Sequence, residues 1–422
     1  MPDMTAAPDL SPATAAAHPR QRPERRVGWV IAALALGGFG IGTTEFVAMG
    51  LLPNIAASLD VSEPTAGHLI SAYALGVVVG APVITAVAAR VARKQLLIWL
   101  MVAFTVGNAL SVLAPNYETL MAARFVAGLP HGAYFGVAAL VAAHLAGPGK
   151  RARAVGRVML GLSVANVLGV PAATWIGQAL GWRAALGLVV VLGLATVVAL
   201  VALVPDLRGM PASDMRSELG ALRNSQVLLT LAVGMVGFGG LFAFYSYLNT
   251  ALTSVGGVSE GVVPVALMLF GLGMVVGNTV GGRLADRHVD VAVVVGLLTV
   301  GVSLGLFSVL LGIGWLAVLF AFIVGATGTI ALPALQTRLM DVAEDGQTVA
   351  AAMNHSALNL ANALGAWVGG LVLAHGLGYR APAAVGAGLA AAGLVVFAVT
   401  MLAARRSGVM TTGPREQPVT IG

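Results

Sequence analysis

Apolar residues in this chain come in long unbroken runs, separated by short polar interruptions, with neither strict alternation nor narrow stripes. A helix needs roughly 20 such residues to cross a bilayer. The runs predict twelve helices, near residues 27–52, 66–88, 95–114, 119–143, 154–180, 184–204, 226–250, 263–284, 291–312, 315–337, 349–374 and 381–404. The expected fold class is an all-α membrane protein with 12 transmembrane helices. Its organisation reads as a tail (1–26), a six-helix bundle (27–204), a polar linker (205–224), a second six-helix bundle (225–404) and a second tail (405–422). Residues 1–26 are rich in Ala, Pro and Arg and lack the apolar core of a signal peptide, so a disordered tail is expected. The first run is too long for a signal segment and reads as an uncleaved helix.

Composition sharpens this picture. Of 422 residues, 58% are hydrophobic and 9% charged, against about 25% charged in soluble domains. A water-soluble enzyme is excluded, and the absence of Cys removes disulfides, thiol chemistry and Cys-ligated metals. The net charge of +6 sits in short clusters between apolar runs, which argues for membrane topology and against nucleic acid. With both termini cytoplasmic, all but Arg124, Arg183 and Arg380 of the 23 basic residues fall in internal segments, as the positive-inside rule requires.

The chain repeats itself. At an offset of 197 residues, ALGVVVGAPV at 74–83 overlays GLGMVVGNTV at 271–280, Arg90 overlays Arg287, and GWRA at 181–184 overlays GYRA at 378–381. Six helices separate equivalent points, so the repeats are parallel. Glycines at four-residue spacing, such as Gly76–Gly80, Gly128–Gly132–Gly136 and Gly273–Gly277–Gly281, predict close helix packing. The sequence GPGK at 147–150 is no phosphate-binding loop, and no acid or His cluster has metal-ligand spacing.

Sorting the acids by this topology leaves Glu45 alone at membrane depth. A charge there is expensive and marks either a functional path or a structural partner such as Thr43 or Thr44. A buried carboxylate can trade a proton as its surroundings change, since dry surroundings favour the acid and a neighbouring cation the anion. Arg124 stands at nearly the same depth, and the reading pairs the two. His131, seven residues along the same helix, reads equally as a second proton site or as a structural His at the Pro130 kink. On helix 7, Phe238, Phe242, Tyr245 and Asn249 share a face, which reads as core or as a substrate wall. Gln336 on helix 10 is a candidate polar contact. His355 with Asn354, Asn359 and Asn362 reads as helix–helix hydrogen bonding.

These features resemble the major facilitator superfamily. GGRLADR at 281–287 is similar to its loop motif, and TTEFVAMGLLPNIAASLDVS (43–62), AGHLISAYALGVVVGAP (66–82), GLPHGAYFGVAA (128–139) and VANVLGVPAATWIGQALGWR (164–183) resemble its bacterial drug:proton antiporter branch, near the arabinose-efflux-permease-like and chloramphenicol-resistance exporters. The resemblance implies a cytoplasmic latch at Arg90, Arg93 and Lys94, with Ala89 where the pattern has Asp. It implies a second latch at Gly282, Asp286 and Arg287, and an antiporter motif at Gly169 and Pro171. It associates Arg124 with proton coupling and gives helix 11 a supporting role.

The function expected is proton-coupled efflux of small amphiphilic molecules, drug-like or chloramphenicol-like, across the inner membrane by alternating access. A sugar or nucleoside exporter of the same fold, and a non-transporting receptor or scaffold, are the alternatives. The proton gradient takes the place of a cofactor. The expected partners are a small-molecule substrate, protons and the lipid bilayer, without nucleic acid, and the functional unit expected is a monomer.

Overall fold

The computed structural model describes residues 24–88, 91–147, 150–207, 224–343 and 347–406. Among them, twelve helices are long and apolar enough to cross a membrane: α1 (Arg26–Gly50), α2 (Glu63–Ile84), α3 (Arg93–Leu113), α4 (Tyr117–Ala146), α5 (Arg153–Leu180), α6 (Trp182–Leu203), α7 (Ser225–Ser246), α8 (Glu260–Ala285), α9 (Val289–Leu310), α10 (Gly314–Val342), α11 (Met353–Ala374) and α12 (Ala381–Arg406). The tails at 1–23 and 407–422 and most of the expected linker lie outside the described residues.

Local chemistry fixes the helix ends. Ser62 caps the start of α2 through Thr65 N, with Pro64 in the first turn, and Asn116 forms a reciprocal capping box with Thr119 at α4. Trp29 and Trp99 are exposed near the end that carries the termini, and Trp175 and Trp315 near the opposite, far end. That placement matches interfacial aromatic belts, and the exposed Val and Leu residues between them form the lipid-facing surface.

The 197-residue repeat is reproduced in three dimensions. A Cβ on Gly76 would strike the Phe125 carbonyl, one on Gly80 that of Leu129, and one on Gly128 that of Tyr73. Their repeat equivalents Gly273, Gly277 and Gly325 meet the carbonyls of Phe322, Ala326 and Phe270. The α2–α4 and α8–α10 crossings are thus built from the same backbone-on-backbone contacts. Gly181 and Gly378 both hold positive φ (89° and 72°), open to glycine at little cost. Two residues on, Arg183 donates to Ala114 O at the end of α3, and Arg380 to Ser308 O and Val309 O at the end of α9. Each guanidinium neutralises a helix C-terminus.

The halves meet along a seam in which α2 packs on α11 and α5 on α8. Hydrogen bonds close its far end. Asn249 Nδ2 donates to Gly50 O (2.6 Å), Thr250 Oγ1 to Glu63 Oε2 (2.7 Å) and Gln178 Nε2 to Glu260 O (3.1 Å). Deeper in, Ser71 Oγ donates to Ala363 O (3.0 Å).

Three helices depart from expectation. Helix 1 does not run unbroken to residue 52: it stops at Gly50, and a short helix, Leu52–Ser58, begins with Pro53 in its first turn. Helix 7 breaks at Tyr247, within one residue of the repeat-equivalent place. Helix 10 runs to Val342, so Arg338 belongs to a helix and is buried there, where a loop was expected. Arg338 pairs with Asp290 (2.7 Å) and lies over Phe397, which accounts for burying the charge.

Candidate functional site

Thr44 and Glu45 are neighbours on α1, so their side chains point about 100° apart. Thr44 turns into its own bundle, where Oγ1 donates to Asn108 Oδ1 (2.6 Å) and accepts from Arg124 NH1 (3.0 Å), while Arg124 NH2 donates to Thr44 O (3.0 Å). Arg124 is 2% exposed and lies 4.4 Å over the Tyr73 ring. The Tyr73 hydroxyl meets His131 Nδ1 at 3.1 Å, which links the three groups into one buried chain. Glu45 turns instead to the seam, where it lies against Asn362 of α11 and within the field of Arg124. The expected direct Glu45–Arg124 ion pair is therefore not formed in this conformation: the guanidinium is held by Thr44, one residue away.

The aromatic face of α7 divides. Phe46 of α1 stacks on Phe242 (6.4 Å, 12°) and meets Tyr245 edge-on (5.6 Å), so these two face the first bundle across the seam. Phe238 packs beside Leu297 and Val300 of α9 inside the second bundle. Asn249 lies beyond the break in helix 7 and is committed to the far-end closure. Gln336 accepts from Asn354 of α11. On α11, His355 stacks on Phe135 of α4 (6.0 Å, 4°), and Asn359 and Asn362 are buried. The helix–helix hydrogen bonding expected of this stretch is formed by Asn354 with Gln336 of α10, and α11 also packs against α2 across the seam.

The motif residues scatter. Arg90 lies outside the described residues. Arg93 is buried at the start of α3, and Lys94 donates to Val201 O (2.9 Å). Gly169 closes a π-turn, Ala165–Gly169, where a Cβ would strike Thr43, and Pro171 opens the next α-helical segment. Such turns within helices often sit at functional sites. Gly282 faces open space, Asp286 and Arg287 are exposed, and Asp290 makes an ion pair at this end of the second bundle. Sequence reasoning missed Tyr73, Asn108 and Phe46, and it named the buried amides Asn359 and Asn362 of α11 only as helix–helix contacts, without their place beside Glu45. For Tyr73 and Asn108 the available signal was polarity at the depth of Arg124, and for Phe46 its place beside Glu45 in the chain.

The sequence profile of the Major Facilitator Superfamily matches residues 34–354 and again 252–420. The chain belongs to that superfamily. Among its relatives in the superfamily, the inner membrane transport protein YdhP of Escherichia coli (strain K12) is 41% identical over 387 residues, 90% of this chain and 97% of that protein. A chloramphenicol resistance protein of Streptomyces lividans is 33% identical over 390 residues, 90% of this chain and 96% of that protein. The fold is shared with the crystal structure of a bacterial homolog of the human lysosomal transporter Spinster in an inward-facing and unoccupied conformation. That match has a TM-score of 0.70 at 17% identity and covers 91% of this chain and 98% of that one. This Major Facilitator Superfamily member is a multi-pass inner-membrane transporter, not an enzyme.

Proposed function

We propose that this transporter is a proton-coupled exporter of small amphiphilic molecules, working by alternating access with both termini cytoplasmic and a single chain as the functional unit. The observation that carries the reading is Glu45: an ionisable group on the seam between the halves, hydrogen-bonded by Asn362, one residue from the Thr44–Arg124 contact and without an ion pair of its own among the described residues. Protonated Glu45 leaves Arg124 on Thr44 and the far end closed. Loss of the proton draws Arg124 toward the carboxylate, pulls on α1 and α4 together, and biases the halves toward the opposite orientation. His131 communicates with Arg124 through Tyr73. Phe46, Phe242 and Tyr245 supply an apolar wall beside the proton site, as an amphiphilic ligand requires. Each charge moved through 100 mV supplies about 2.3 kcal/mol.

The test is purified protein in liposomes under a pH gradient, with internal pH recorded on addition of chloramphenicol or of ethidium, an aromatic cation. Wild type is expected to move protons with at least one of the two, and Glu45→Gln with neither. Exchange by Glu45→Gln at the wild-type rate contradicts the proposal.

A further inference from the structure

Buried polar atoms in settled protein interiors almost always find a hydrogen-bond partner. Asn362 of α11 is 1% exposed; its amide hydrogen-bonds the Glu45 carboxylate, but its Oδ1 has no partner among the described residues. Asn359 is 4% exposed; its Nδ2 donates to His355 O (3.1 Å), but its Oδ1 is unpartnered. The two residues are three apart and so share a side of the helix. Asn362 lies against the Glu45 carboxylate, which places this side on the seam. One turn toward the termini, His355 and Phe135 form a stacked floor. Nearly one turn the other way, Gly365 has room only for hydrogen because Phe242 and the α7 backbone press on it, so the wall formed by Phe242, Phe46 and Tyr245 adjoins the two amides. The Tyr245 hydroxyl is also buried without a partner.

We infer that Asn359 and Asn362 are the polar anchor of the substrate site, for an uncharged molecule that sets a hydroxyl or amide group on these amides and an aromatic or apolar body on Phe46 and Phe242. The inference rests on the transporter reading above and narrows its substrate class. An amide is donor and acceptor at once, so a ligand bearing both kinds of group satisfies atoms that the empty protein leaves bare. A site built to hydrogen-bond a hydroxyl discriminates strongly against an analogue that lacks it, because the buried partner is then left unpaired.

Thiamphenicol and florfenicol test this directly, because they differ in one hydroxyl replaced by fluorine. Binding to the purified full chain is measured by calorimetry, with thermal unfolding of the empty protein alongside. The expected result is that wild type binds thiamphenicol at least tenfold more tightly than florfenicol, and that Asn362→Ala removes most of that preference. The ligand-free Asn359→Ala protein is expected to unfold at the same temperature as wild type or higher, since it loses a bare buried oxygen and only a bond within its own helix. Binding of neither compound by wild type, a preference that survives Asn362→Ala, or a lower unfolding temperature for Asn359→Ala overturns the inference. A seam that holds only bridging water gives the second of these results. If ethidium still drives Glu45-dependent proton movement in liposomes, the exporter reading stands when the amide inference falls. If Glu45→Gln exchanges at the wild-type rate, the exporter reading falls whatever the amphenicols do.

Discussion

Arg124 is fixed by geometry as much as by charge. Its guanidinium makes two parallel donations to Thr44 while its flat face covers Tyr73, and a lysine can reproduce neither. Arg124→Lys is therefore expected to keep the fold but to slow proton-coupled exchange by roughly ten- to hundredfold, the worth of one charge-assisted hydrogen bond, read in the liposome assay. Arg338 makes a different prediction. It is buried against Phe397 and pairs with the part-exposed Asp290, so Asp290→Ala strands a buried cation. That is expected to cost roughly 2–3 kcal/mol, less than the about 3–5 of a fully buried pair because solvent reaches Asp290, and adding Arg338→Met recovers much of the lost thermal midpoint. At this scale the sequence exposed Glu45 and Arg124 because charges at depth are so rare. It hid Tyr73 and showed Asn362 only as a helix–helix contact, because uncharged polar residues are cheap enough at depth to be common and only contacts show which ones face the seam. Arg338 was misplaced because a charge near a helix end looks like the start of a loop until its partner, Asp290, is seen.

Among the elements, the crossings of α2 with α4 and of α8 with α10 set how closely each bundle closes. Gly128 and Gly325 occupy equivalent places in them, each against a backbone carbonyl that cannot retreat. Gly128→Ala and Gly325→Ala are expected to be about equally damaging, each by roughly 1–3 kcal/mol of overpacking. Gly136→Ala is expected to be neutral, since nothing lies within 4 Å of the added carbon. Unfolding in detergent compares the three. The repeat behind this symmetry could be read from three short segments at one offset, because glycine spacing and the Gly-Trp-Arg and Gly-Tyr-Arg corners are set by backbone contact. The breaks at Leu51 and Tyr247 could not be read as easily. Pro53 lies inside an apolar run and is compatible with a first helical turn, and Tyr247 carries no breaking signal at all: it is a wedge between Gly67 and Gly370, visible only after the halves are packed.

For the whole molecule, the seam is sealed at the far end through Asn249, Thr250 and Gln178, and alternating access requires that seal to part. Because the chain has no Cys, a single engineered pair reports the motion cleanly. Ser71→Cys with Ala363→Cys, joined by a short bifunctional reagent, is expected to stop transport, and cleavage of the linker to restore it. A rigid receptor or scaffold would show no such dependence.

If Glu45 carries the coupled proton, as proposed, substrate binding evokes its release. Purified protein in weakly buffered detergent solution, mixed with chloramphenicol beside a pH dye, is predicted to release about one proton per chain, from Glu45 as the partner of Arg124. Glu45→Gln is predicted to bind chloramphenicol and release none. Equal release from wild type and Glu45→Gln would contradict the account.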